Sequence, residues 1–343
     1  MPKFAVIRQD HTFVDLQGVT IHWYSWMPGK PKAIVLIVHG VGSIATTRSH
    51  FDAQHFMEIG MPGTSSLDTG WLGRHLASRP PMRAGTTLRG VAMSFSLTEM
   101  LRGGPNALPV PDATNFGLSG TSSTRTQRLN WLNASYAVET DPMRTAAQAT
   151  QQTINTLTAL NIGAYQPAGG AVYANNSFAR ALRSAAALIR GDIGVEVIQI
   201  DLSGWDTHSA QGPLTGGMAT NMRTFADALG AFHADMDGAS KLGRVTLVAM
   251  SEFGRRAAEN GSAGTDHGHG GVMFVMGGGT NGGQVMANWP GLASGQLYQG
   301  QDVQVTIDHR DILADVVMKR LGNTNLDYVF PEFTYTNRNA VHP

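Results

Sequence analysis

Three short stretches hold most of the chemistry available to this chain: Asp201-Leu-Ser-Gly-Trp-Asp206-Thr-His208, Ser251-Glu252-Phe-Gly-Arg255 and Thr265-Asp266-His267-Gly268-His269-Gly270. Carboxylates and imidazoles set this closely, among glycines that let loops converge, suit a divalent cation such as Zn²⁺, Mn²⁺, Mg²⁺ or Ca²⁺. Asp266, His267 and His269 fall within four residues of one another. The plainer alternative is structural, because Asp and His at strand ends also cap helices and bond loop backbone. A fourth stretch, Gly42-Ser-Ile-Ala-Thr-Thr47-Arg48-Ser49-His50-Phe51-Asp52, leads from a strand into a helix. It places the hydroxyl of Thr47 or Ser49 at a helix N-terminus beside Arg48. Free N–H groups and the helix dipole favour anions there, and a hydroxyl whose pKa a metal lowers becomes a nucleophile. Ser49 also reads as a simple N-cap.

Composition removes other chemistries. The chain has 343 residues, 42% hydrophobic and 15% charged, with 41 glycines, 12 histidines and no cysteine. Disulfides, thiolate nucleophiles and cysteine-ligated zinc or iron–sulfur sites are thereby excluded. The 25 basic and 25 acidic residues cancel, so no overall field draws the chain to nucleic acid or to an anionic membrane. The longest apolar run, Ala33 to Val38, falls far short of the ~20 residues that span a bilayer. The opening MPKFAVIRQDHTFVD has no long apolar core and no small-residue cleavage site, so the chain as written is expected to be soluble and cytoplasmic. No GxSxG elbow, HExxH or Walker A motif occurs, and Gly277 to Gly283 lacks the spacing of a dinucleotide loop. His22 and His233 read as surface or packing residues, and His39 reads either way.

The elements that must position these groups follow from hydrophobic period. Phe13–Leu16 and Val19–Trp26 alternate around Gln17-Gly18, as a hairpin does, and Ala33–Val38 is a β-branched run suited to a strand buried on both faces. A helix is expected from about Ser49 to Ile59, then an irregular insertion over about 60–130 that covers one face. Helices follow at 141–160, with Asp141 as N-cap and Pro142 in the first turn, and at Ser177–Arg190. Strands at Val195–Ile200, Arg244–Met250 and Val272–Met276 alternate with helices at Met218–Met236 and Arg310–Leu321, the last opening at Asp308. This order implies an α/β fold, a mostly parallel sheet with helices on both faces and chemistry beyond the strands' carboxyl ends.

Two resemblances bear on these residues. From about Val41 to Phe333 the chain resembles the bacterial domain of unknown function 1501, a sulfatase-like family of the alkaline phosphatase superfamily. The carrying stretches are Thr47-Arg-Ser-His-Phe-Asp-Ala-Gln54, Gly204-Trp-Asp-Thr-His208, Met250-Ser-Glu-Phe-Gly-Arg255, Gly264-Thr-Asp-His-Gly-His-Gly-Gly271 and Asn288-Trp-Pro-Gly-Leu292. The resemblance implies metal-dependent hydrolysis or transfer of phosphate or sulfate esters. It makes Asp266 and His267 a ligand pair, Asp206 and His208 further ligands and His269 another. Ser49, or else Thr47, becomes the nucleophile, with Arg48 near the departing anion and Glu252 and Arg255 within the family's own motif. Residues 1–40 instead look like the opening of a monoacylglycerol-lipase-type α/β-hydrolase, with His39-Gly40 beginning an oxyanion loop. The chain thus reads as a chimera of 1–40 and 41–343. The family's export signal and early metal-binding Asp have no counterpart, Asp15 being the nearest.

The expected activity is hydrolysis of a small-molecule phosphate or sulfate ester by Ser49, Thr47 or a bound water. A carboxyl-ester hydrolase and a catalytically impaired binding scaffold are the alternatives.

Overall fold

Strands of β-branched residues alternating with capped helices produce a mixed α/β architecture in the computed structural model. It describes residues 6–14, 20–28 and 35–343 apart from 65, 119 and 213, with side chains from residue 40 onward. β1 (Val6–Val14) and β2 (Thr20–Pro28) pair antiparallel, Val14 opposite Thr20. This is the expected hairpin with longer strands; its turn, and Asp15 with it, lies outside the described residues. The order continues with β3 (Val35–Gly42), α1 (His50–Ile59), α2 (Trp71–Ser78), β4 (Gly90–Ala92), β5 (Ala107–Pro109), α3 (Arg125–Ala137), α4 (Met143–Leu160) and α5 (Ser177–Gly191). β6 (Val197–Gln199), α6 (Gly217–Gly238), β7 (Thr246–Ala249), β8 (Gly271–Gly277), β9 (Gln284–Ala287), β10 (Ile307–Asp308), α7 (His309–Lys319) and α8 (Leu326–Val329) complete it.

The strands form more than one sheet, and they are only partly parallel. β3 pairs β9 and β10 in parallel and β8 antiparallel, and β7 pairs β8 antiparallel. β4 lies between β5 and β6, parallel to both. The parallel arrangement expected is thus present in part, the exception outside the hairpin being β8, antiparallel to both its neighbours. No α-helix intervenes between β7 and β8, and a strand reached without a crossover can turn back antiparallel. The reversal brings the amino end of β8 beside the carboxyl end of β3, Gly271 opposite Val41. It is thus the loop before β8, not the loop after it, that reaches the edge where β3 and β7 end.

Helices cover both faces of β8, because its side chains alternate. Met273 and Val275 pack with Ile312, Leu313 and Val317 of α7. Met276 packs with Phe178 and Leu182 of α5 and Phe232 and Met236 of α6. The stretch 60–130 is more than an irregular cover. It supplies β4 and β5, and Leu76, Val91, Leu101 and Val110 are all 0% exposed. At α4 the N-cap is Pro142, not Asp141, whose carboxylate instead accepts the Thr145 hydroxyl at 2.6 Å. No helix among the described residues is long and apolar enough to cross a membrane.

Candidate metal centre

α1 begins where the chain leaves β3. Ser49 caps it, its hydroxyl accepting the Asp52 amide at 3.5 Å, and Gly60 ends it with φ +64°, a left-handed conformation in which glycine escapes the Cβ clash. His50 is therefore the first helical residue, at the carboxyl edge of the sheet. Asp206 and His208 arrive from the loop after β6, Glu252 and Arg255 from the loop after β7, and Asp266, His267 and His269 from the loop before β8. The two ends of this single β7–β8 connection are laced together by Arg256 N–H to Asp266 O at 3.0 Å and Gly268 N–H to Gly254 O at 2.9 Å. A Cβ on Gly268 would lie 2.5 Å from the Arg255 carbonyl carbon, so this approach requires glycine.

His50, Asp206 and His267 each offer a ligand atom, and these atoms lie within 4.8 Å of one another. One ion with bonds of roughly 2.0–2.2 Å can span such a set. His267 Nε2 lies 2.9 Å from Asp206 Oδ1, and His50 Nε2 lies 3.4 Å from Asp206 Oδ2. His208 Nε2 approaches the same point, 2.9 Å from Asp206 Oδ1 and 2.9 Å from His267 Nε2. The far edge of each ring meets an oxygen. His267 Nδ1–H donates to the Arg48 carbonyl at 2.8 Å, His50 Nδ1–H to Glu252 Oε1 at 2.7 Å and His208 Nδ1–H to Asp266 Oδ1 at 3.2 Å. Oxygen acceptors fix the proton on Nδ1 and leave an unprotonated Nε2, the usual outer support of a metal-binding histidine. The donor set and its supports fit a metal ion.

Electrostatics favour the same reading. Burial pushes the Asp206 carboxyl up, but the close His267 ring, the hydrogen bond and charge of Arg255 and the neighbouring His208 ring outweigh it and hold the group well below the ordinary carboxylate range. Asp266 is also held low, by hydrogen bonds from Asn260 and His208 and by the Arg256 charge against a small burial effect.

Several expected roles change. Asp266 stands behind His208, orienting its ring and accepting Asn260 Nδ2 at 3.0 Å; it does not join the ligand atoms of His50, Asp206 and His267. His269 points elsewhere, its Nδ1 held by the buried Asp302 at 2.7 Å, so it too lies outside that group. The Arg48 guanidinium is not presented to an anion. Its Nε and Nη2 bind Asp302 at 3.0 and 2.5 Å. Arg255 is likewise engaged, donating to Asp206 Oδ1, Trp205 O and Thr265 O. Ser49 serves as the cap, and the Thr47 hydroxyl reaches Asp52 at 3.4 Å and accepts the Ser49 amide. Glu252 supports His50. His50 itself is absent from the ligands expected on sequence grounds; its only local signal is its place directly after the cap. Phe253 walls the group, its ring 4.9 Å from His50 and 4.5 Å from His267.

A model of the family described as "protein of unknown function (DUF1501)" matches residues 13–327. The match starts inside the segment 1–40 that the lipase-like resemblance sets apart. No curated protein and no solved structure matches the chain.

Proposed function

The chain belongs to the DUF1501 family, and from that premise we propose that it is a metal-dependent hydrolase of phosphate or sulfate esters, with a divalent cation held by His50, Asp206 and His267 and with His208 beside them. One observation carries the reading. Three imidazoles whose Nδ1–H groups face oxygen acceptors turn unprotonated Nε2 atoms toward a single carboxylate held in its ionised form. Lone pairs and a carboxylate so grouped repel one another unless a cation lies among them. A divalent cation bound there would polarise an ester oxygen and lower the pKa of a bound water.

The protein's own groups set the geometry. Glu252, Asp266 and the Arg48 carbonyl orient the three rings, and Arg255 steadies Asp206 from outside. With Arg48 and Arg255 both engaged, the charge of an anionic ester falls to the cation and not to a free arginine. Ser49 Oγ is occupied as the helix cap, so in this reading water supplies the attacking oxygen. Membership of the alkaline phosphatase superfamily is part of the proposal, supported by ligands gathered at the ends of strands in an α/β scaffold.

The test is metal content together with hydrolysis of aryl phosphates and aryl sulfates. The reading requires about one equivalent of bound divalent metal, activity that disappears on chelation and returns on reloading, and a loss of at least 100-fold in His267→Ala. Turnover that survives metal removal would overturn it.

A further inference from the structure

We propose that Asp302 is a positioning residue of the metal centre, holding the His267 ring through the backbone of Arg48; the inference rests on the metal-dependent reading above. Asp302 follows no strand or motif that marks it, yet its side chain is 0% exposed. Its Oδ2 takes Arg48 Nε at 3.0 Å, Arg48 Nη2 at 2.5 Å and His269 Nδ1–H at 2.7 Å. Backbone bonds with Tyr298, N–H to O at 2.9 and 3.1 Å in the two directions, pin the turn that carries it. Arg256 Nε stands 3.9 Å from the other oxygen.

Asp302 thus grips the chain on both sides of one ligand. His269 lies two residues beyond His267, across a glycine that packs on the Arg255 carbonyl. Arg48 provides the carbonyl that accepts His267 Nδ1–H at 2.8 Å. Residues 46–49 belong to no helix or strand, so no ladder of backbone hydrogen bonds fixes that carbonyl. A planar guanidinium bound through two of its nitrogens to one carboxylate restricts the side chain, and through it the peptide, in a way a flexible point charge does not. The consequence is a fixed tautomer, Nδ1–H, at His267. His50 provides an internal reference, because Glu252 holds its Nδ1–H and Asp302 does not touch it.

The experiment uses the full chain with nitrogen-15-labelled histidine. In the metal-free protein His267 and His50 should both give Nδ1–H signals. Asp302→Asn and Arg48→Met should shift His267 toward Nε2–H or a mixture and leave His50 unchanged. Zn²⁺ titration of the same variants should show a Kd raised about 10- to 100-fold, the range for loss of outer-shell support, with Arg48→Lys in between. Arg48 is partly exposed, so Arg48→Met keeps the test available where Asp302→Asn fails to fold. The proposal is overturned if folded variants keep the His267 signal and bind Zn²⁺ within twofold of wild type, or if both histidine signals change together. A wild-type chain that binds no Zn²⁺ would sink the metal reading alone, while the metal-free spectra would still decide the role of Asp302.

Discussion

Asp206 is where three imidazoles and a guanidinium meet, and its ionisation should be visible in stability. Burial opposes its charge, but the close His267 ring, the hydrogen bond and charge of Arg255 and the neighbouring His208 ring prevail, so its folded pKa lies below the ordinary 3.8. A depressed carboxyl stabilises the fold above its unfolded pKa and loses that contribution as pH falls through the folded value. In metal-free protein the Tm of wild type should therefore exceed that of Asp206→Asn near neutral pH, and the gap should narrow progressively as pH falls below about 4. A gap that stays constant across this range would contradict the assignment. Asp206 and His267 were legible in the sequence because both donor type and spacing pointed to them. Asp266 and His269 were not separable from them, since spacing along the chain gives proximity and not which face of a ring is presented. Of the groups that hold them, Asn260 lies six residues before Asp266 in the same connection, while His208 and Asp302 come from other loops. His50 was hidden in a helix-start motif whose hydroxyls drew the chemical interpretation.

At the scale of elements, two loops and one helix cap make the site. The paired segments around Arg255 and His267 approach closely enough that Gly268 has no room for a methyl. Gly268→Ala should cost about 1–3 kcal/mol, as overpacking of a tight contact does, measured by urea unfolding. It should also weaken Zn²⁺ binding, because the segment that yields carries His267. Ser49→Ala should cost about 1 kcal/mol through loss of the cap on α1 and leave ester hydrolysis within a few-fold of wild type. Abolished turnover with normal metal content would instead make Ser49 the nucleophile. α1, α4, α5, α6 and α7 were legible because a 3.6-residue period, and caps such as Ser49 and Asp308, mark them; α2, within the stretch read as irregular, and α3 and α8 were not. β4 and β5 were not, since three-residue strands carry too little alternation to register. The direction of β8 was equally hidden, because periodicity is the same for parallel and antiparallel strands.

For the whole molecule, acid should act through buried imidazole as well as through the site. His75 is wholly buried on α2, and burial pushes it down to about 4, with Arg89 and Arg79 acting the same way against Glu196. The unfolded chain takes up that proton first, so the stability tied to neutral His75 is full above about pH 6.5 and lost on the way to about pH 4, on the order of 3 kcal/mol. His75→Leu should flatten the fall in unfolding free energy across that window; an unchanged slope would show that other groups set the acid response. The pairing of β3 bears on how the molecule is made. Its neighbours β8, β9 and β10 all lie more than about 220 residues further along the chain. At roughly 5–20 residues per second a ribosome takes about 10–45 s to deliver the first of them. Throughout that interval a strand of Val, Leu and Ile has emerged with no partner; of the proposed metal ligands His50 follows it at once, Asp206 comes later and His267 arrives only near the interval's end. Synthesis of this protein should therefore depend on a holdase chaperone bound near β3, and the three-residue metal site should not be complete before His267 has emerged.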